Sequence, residues 1–184
     1  MKMNRVLIFI TSIFSVLFTA NIFAANAETK VIISEKSIIT GIKATATVTI
    51  TGTDISTAIA NNTPIETDVI ANACMFTTHQ DGDFDLTVTA DKNFMNGKSF
   101  ALYNATLGQV DTTLFVTSVN APTPIELKPN TATPLQNHSD AQASGTNCAN
   151  QVRFRLNISV ANLRIAKAGT YDFAFTTTAS DYTG

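Results

Sequence analysis

Tryptophan is absent from this chain of 184 residues, histidine occurs twice, cysteine twice, and charged side chains make up only 14% of it. Each scarcity narrows the field. Without Trp, the commonest platform for stacking a sugar ring is missing, although Tyr103, Tyr171 and Tyr182 remain. With 14 acidic against 12 basic side chains there is no electrostatic footprint for nucleic acid or anionic lipid, so partners have to be found by shape. His79 and His138 are the only candidate bases, neither sits in a recognisable nucleophile setting, and there is no G-x-S-x-G elbow or phosphate-cradling glycine loop. No enzyme, catalytic residue or cofactor is therefore expected.

Long apolar runs are scarce as well. The one that exists lies at the start, where Met1-Lys2-Met3-Asn4-Arg5 carries two positive charges and residues 6–19 are almost wholly apolar. Ala25-x-Ala27 then fits the small-residue rule for signal peptidase, so residues 1–27 read as a secretory signal peptide cleaved after Ala27. The apolar core is shorter than the ~18 residues a spanning helix needs. Residues 28–184 have the size of one ordinary domain. In an oxidising compartment Cys74 and Cys148 allow a single intramolecular pairing. Closing that loop of about 75 residues stabilises a fold by roughly 4 kcal/mol in the chain-entropy account. A zinc site fits poorly, because neither cysteine has a C-x-x-C partner or a nearby histidine, and no metal is expected.

What the chain has in abundance is alternation with period two, the signature of half-buried strands. In residues 43–51, Ala44, Ala46, Val48 and Ile50 alternate with Thr45, Thr47, Thr49 and Thr51. In residues 83–89, Phe84, Leu86 and Val88 alternate with Asp85, Thr87 and Thr89, and Asp81-Gly82 just before them is a hairpin-turn dipeptide. Residues 151–160 set Val152, Phe154, Leu156, Ile158 and Val160 against Arg153, Arg155, Asn157 and Ser159. In residues 170–179, Tyr171, Phe173, Phe175 and Thr177 point inward. Weaker strands are expected at 31–34, 69–77, 99–103, 113–119 and 124–127, a short helix at 55–60, and an irregular polar loop at 128–150. Many short strands without long helices predict an all-β, antiparallel sandwich or barrel.

Three polar features compete for attention. His79, Asp81, Asp83 and Asp85 superficially suggest a calcium loop, but Leu86 and Lys92 stand where that loop needs Gly and Glu, so a turn flanked by solvated acids is the expectation. Arg153 and Arg155 share an outward strand face that suits a carboxylate or sialylated sugar, or simply solvent. Asn104-Ala105-Thr106 and Asn157-Ile158-Ser159 match the glycosylation sequon, as Asn- and Thr-rich chains do by chance.

The terminal QVRFRLNISV and AKAGTYDFAFTTTAS segments resemble the end of chaperone-usher fimbrial subunits, and IKATATVTITGTD resembles the donor strand of colonisation-factor and capsular-antigen subunits. The spore-coat-U type of archaic pilus is also similar. Two departures stand out: a bridge from Cys74 to Cys148 spans more chain than is usual in type 1 pilins, and residues 28–40 precede the donor segment. The resemblance implies an incomplete immunoglobulin-like sandwich lacking its last strand, with Tyr171, Phe173 and Phe175 lining an open acceptor groove. It implies that Ala44, Ala46, Val48 and Ile50, or else residues 31–34, serve as a donor strand inserted into a neighbouring subunit. Residues 28–52 then form the N-terminal extension and 53–184 the domain. The implied partners are other pilus subunits, a periplasmic chaperone and an outer-membrane usher, with the fimbrium at the cell surface as destination. The other reading is a complete secreted sandwich in which those two segments pair with each other and residues 128–150 bind a glycan or protein.

Overall fold

A computed structural model of the chain describes residues 27–34, 37–77, 82–138, 140–141 and 151–183. The apolar leader 1–26, His79, Asp81 and Cys148 lie outside the described residues. In chain order the elements are β1 (Ala27–Ser34), β2 (Ser37–Ile50), α1 (Gly52–Asn61), β3 (Ile65–Cys74), β4 (Phe76–Thr77) and β5 (Phe84–Thr89). A single 3-10 turn (Lys92–Phe94) leads to β6 (Met95–Asn96), β7 (Ser99–Asn104), β8 (Gly108–Ser118), β9 (Ile125–Leu127), β10 (Ala132–Leu135) and β11 (Asp140–Ala141). The described chain closes with β12 (Gln151–Ile158), α2 (Val160–Leu163) and β13 (Gly169–Ser180). With 57% strand and 14% helix, the protein is all-β and mostly antiparallel.

Eleven of the strands follow one hydrogen-bonded path, β1-β2-β13-β7-β8-β12-β3, with β5, β6, β9 and β10 branching from it, while β4 and β11 pair separately in parallel. Strand β8 is the hinge of this path. Its residues 108–112 pair with β7, while 113–118 pair with β12 and 114–116 with β9 on the opposite edge. Phe154 of β12 meets Phe175 of β13 with ring centroids 5.3 Å apart, although β7 and β8 stand between those strands in the path. The core lies between, where the alternating faces converge: Val152, Phe154, Leu156 and Ile158 of β12, Leu114 and Val116 of β8, Phe100 and Leu102 of β7, and Tyr171, Phe173 and Phe175 of β13 are all buried.

Local chemistry explains the punctuation. Thr51 stops β2 and starts α1 through a capping box: its hydroxyl accepts from Asp54 N at 3.1 Å, and Asp54 Oδ2 accepts from Thr51 N at 2.8 Å. The Thr51 hydroxyl, which donates to Asp54 Oδ2 at 2.6 Å, and after it the Thr51 N–H hold the Asp54 carboxyl below its usual range. The helix ends at Asn62 in the left-handed region, φ 52°. Between β3 and β12 the register slips at Phe154, which lies opposite Ile70 while Arg155 lies opposite Asp68. Two steps on β3 against one on β12 form a bulge, and the bulge lets Asp68 face outward and Ile70 inward although they are two residues apart.

Several expectations need correction. Gly82 has the left-handed φ of 75° that the turn dipeptide implies, yet β5 pairs with β10 and β13 rather than with the strand before it. The polar segment 128–150 is not an unbroken loop, because β10 adds to β5 and buries Leu135. Pro134 is tolerated there since β10 is an edge strand whose missing N–H costs no ladder bond. Val160 does not extend β12 but opens α2, where the Ser159 hydroxyl accepts from Asn162 N at 3.2 Å. Asp85, expected among solvated acids, is buried: the Thr183 hydroxyl donates to its Oδ2, and no hydrogen bond reaches Oδ1.

Candidate functional site

The N-terminal strand β2 and the C-terminal strand β13 form the longest register between distant parts of the chain, residues 43–50 against 169–176. On the inward face Ala44 lies opposite Phe175, Ala46 opposite Phe173 and Val48 opposite Tyr171. A small or medium aliphatic thus meets an aromatic at each step, the combination that fills a groove without crowding it. Ala44, Val48 and Ile50 are buried and Ala46 half-buried. The aromatics are fixed from below: Phe173 stands edge-on to Phe94 and Phe100, at 6.2 and 5.9 Å, and contacts Phe175 at 5.7 Å.

The outward face of the same seam is polar. Thr47 Oγ1 donates to Asp172 Oδ1 at 3.2 Å, and the Thr49 and Thr170 hydroxyls share a bond of 3.2 Å. These cross-strand pairs specify the register, because a slip of one residue would turn the threonines inward. Two devices place β13. Tyr171 Oη, at the buried end of the strand, donates to Lys167 O at 2.7 Å and ties the strand to the turn before it. Gly169 lies under the half-buried Leu107 side chain, and a Cβ there would push Leu107 Cδ1 aside.

Strand β2 has an unequal set of neighbours. Among the described residues, 37–42 pair only with β1, 45–50 only with β13, and 43–44 with both. The part that fills the core is therefore held to the body through one ladder. The segment 31–34, the alternative donor, sits in β1 and pairs with 37–40 rather than with β13.

The remaining sequence-flagged residues separate. Arg155 is committed, with Nε donating to Asp68 Oδ1 and Nη1 to Glu66 Oε2, each at 3.0 Å. Arg153 is not: its Nε lies 3.6 Å from Asp68 Oδ2. Asp83 Oδ1 accepts from Asn137 N at 3.0 Å, which places Asp83 in loop packing. His138, expected in a polar loop, is buried, and its Nδ1–H donates to Gln136 O at 2.7 Å while Nε2 has no partner among the described residues. Burial pushes its pKa down, against the opposing pull of that bond and of Asp83. Nothing in the sequence around Asn137-His138 signals this burial; the nearest clue is the apolar Leu135 within a polar stretch.

The chain matches no family model, no curated protein and no solved structure.

Proposed function

We infer that the chain is an exported structural subunit of an adhesive pilus or surface fibre, without catalytic activity, that polymerises by donor-strand exchange. The observation that carries this reading is the β2–β13 seam. An N-terminal strand with small alternating side chains completes the core by pairing antiparallel with the last strand, and for residues 45–50 that single ladder is its attachment. The same strand from a second copy has the same chemistry and fits the same groove. In this reading the fold is an immunoglobulin-like sandwich, the folding back at β8 separates its two layers, and Tyr171 plays the part of a tyrosine corner.

The leader 1–27 delivers the chain to the periplasm, a chaperone strand occupies the β13 edge before assembly, and an outer-membrane usher joins the subunits at the cell surface. Cys74 lies opposite Gln151 in the ladder, and Cys148 precedes Gln151 by three residues. Three extended residues reach about 10 Å, enough to bring Cys148 back to Cys74 for the bridge proposed between them. The competing reading, a self-contained secreted sandwich that binds a glycan or protein, is favoured by one fact: the seam is closed within one chain. Electrophoresis of unboiled samples in SDS separates the two. A fibre subunit gives a ladder of resistant multimers that collapses on boiling, and a self-contained domain runs as a monomer under both conditions.

A further inference from the structure

Strands β8, β12 and β3 turn a second face away from the core, and a groove of about 660 Å3 crosses it. That volume falls in the range of small-ligand sites, roughly 300–1,000 Å3. Its floor is the half-buried ring of Phe115, opposite Arg155 in the ladder. One wall is the segment after β8, where Pro122 and Pro124 stand with Val119, 63% exposed. Such a wall is apolar and stiff, because each proline fixes its own backbone.

The opposite wall is polar, and its charges are unevenly spent. Glu66 and Asp68 are bound to Arg155, and Asn157 Nδ2 donates to Glu66 Oε1 at 3.1 Å. Arg153 touches this network only through Nε, at 3.6 Å, beyond hydrogen-bond length. Among the described residues, no hydrogen-bond partner meets the two terminal amino groups of its guanidinium. A planar fork with free donors is thus presented beside an aromatic floor, the arrangement that takes a carboxylate in two parallel bonds. Gln151 and Thr117 flank it, the latter directly opposite Arg153 in the ladder, and supply an amide and a hydroxyl.

The ligand has to be held by side chains alone. The floor strands already have ladder neighbours on both sides, β8 with β9 and β12, and β12 with β8 and β3, so an extended peptide lying over Phe115 and Arg153 finds no edge there; the open edge of this face belongs to β3, beyond Glu66 and Asp68. A sugar ring needs no ladder: one face is C–H and lies on Phe115 and the prolines, while its hydroxyls reach Gln151 and Thr117. We propose that this groove binds a carboxylate-bearing sugar, with Arg153 holding the carboxylate and Phe115 supporting the ring. The site is independent of strand exchange, since neither β2 nor β13 lines it.

The test is an amide-resolved NMR titration of the purified protein with the methyl glycoside of N-acetylneuraminic acid, beside its carboxyl methyl ester and methyl galactoside. The acidic glycoside shifts amides of residues 115–119 and 151–155 along a saturating curve, and the ester binds roughly tenfold more weakly or worse. Arg153→Gln, whose parent side chain is exposed, weakens the acid to the level of the ester without moving the thermal midpoint. The proposal is overturned if acid and ester bind alike, if Arg153→Gln has no effect, or if these amides stay unmoved at about 20 mM glycoside, the scale of the weakest specific binding. An acidic peptide displacing the sugar at equal concentration overturns the assignment to a sugar.

Discussion

Removing residues 28–50 takes Ala44, Val48 and Ile50 out of the core and uncovers the aromatic row of Tyr171, Phe173 and Phe175, each at most 2% exposed in the intact chain. Burial of a Val or Ile side chain contributes about 1.5–3 kcal/mol, and an Ala less, so the three side chains together supply roughly 5 kcal/mol before the newly wetted rings are counted. A domain of this size is stable by about 5–15 kcal/mol in total. The shortened chain is therefore expected to lose cooperative folding, which near-ultraviolet circular dichroism and a urea titration read directly. A peptide spanning residues 43–50 restores the transition, and the gain grows with the logarithm of its concentration. The same peptide carrying Val48→Asp fails, because it puts a carboxylate against Tyr171, while one carrying Thr49→Ser on the outward face succeeds. A shortened chain that melts cooperatively without peptide, or that responds equally to both peptides, refutes the reasoning.

Other perturbations read single features. Tyr171→Phe removes the bond to Lys167 O inside a buried site and lowers stability by about 1 kcal/mol, a fall of roughly 2–4 °C in the melting midpoint; an unchanged midpoint contradicts the role given to the hydroxyl. Gly169→Ala pushes the half-buried Leu107 side chain aside and costs about 1 kcal/mol, the low end for overpacking, and the loss is smaller in a Leu107→Ala background, which a double-mutant cycle measures. His138 has a folded pKa below its unfolded value near 6.5, so the unfolded chain binds the proton first. The stability this contributes is complete above about pH 6.5 and is lost as pH falls toward the folded value. Urea midpoints at about pH 7 and pH 5 should therefore differ more in the wild type than in His138→Leu; equal differences refute it.

Strands whose alternation is pure were legible from the residues alone. The 43–51, 151–160 and 170–179 segments each carry one wet and one dry face, and period two leaves no other element that satisfies both. Even so, the partner of each strand was not legible, because pairing is decided by residues far along the chain. Asp81-Gly82 points to a hairpin, yet β5 finds β10 and β13, which fit against its edges. Asp85 alternates as an outward residue and is outward from the core, but Thr183, nearly a hundred positions later (|i−j| = 98), donates to it and the face is covered. The outward placement of Asp68 depends on a bulge that local sequence does not announce. For the seam, the residues on each face were readable from the chain, and so was the choice of two segments able to meet. Whether they meet within one molecule or between two is not a property of the pattern, since both arrangements bury identical side chains.

Cross-linking across the seam tests the exchange most directly. Thr47 and Asp172 lie opposite each other in the ladder, hydroxyl to carboxylate at 3.2 Å. Chains carrying Thr47→Cys and chains carrying Asp172→Cys are co-assembled, oxidised and separated without reductant, with each variant mixed with wild type as the control for Cys74 and Cys148. Strand exchange predicts a disulfide-linked product that contains one chain of each kind, appears only in the mixture of the two variants and is dissolved by reductant. A bond that forms only when both substitutions are in the same chain, with none between the two single variants, contradicts it.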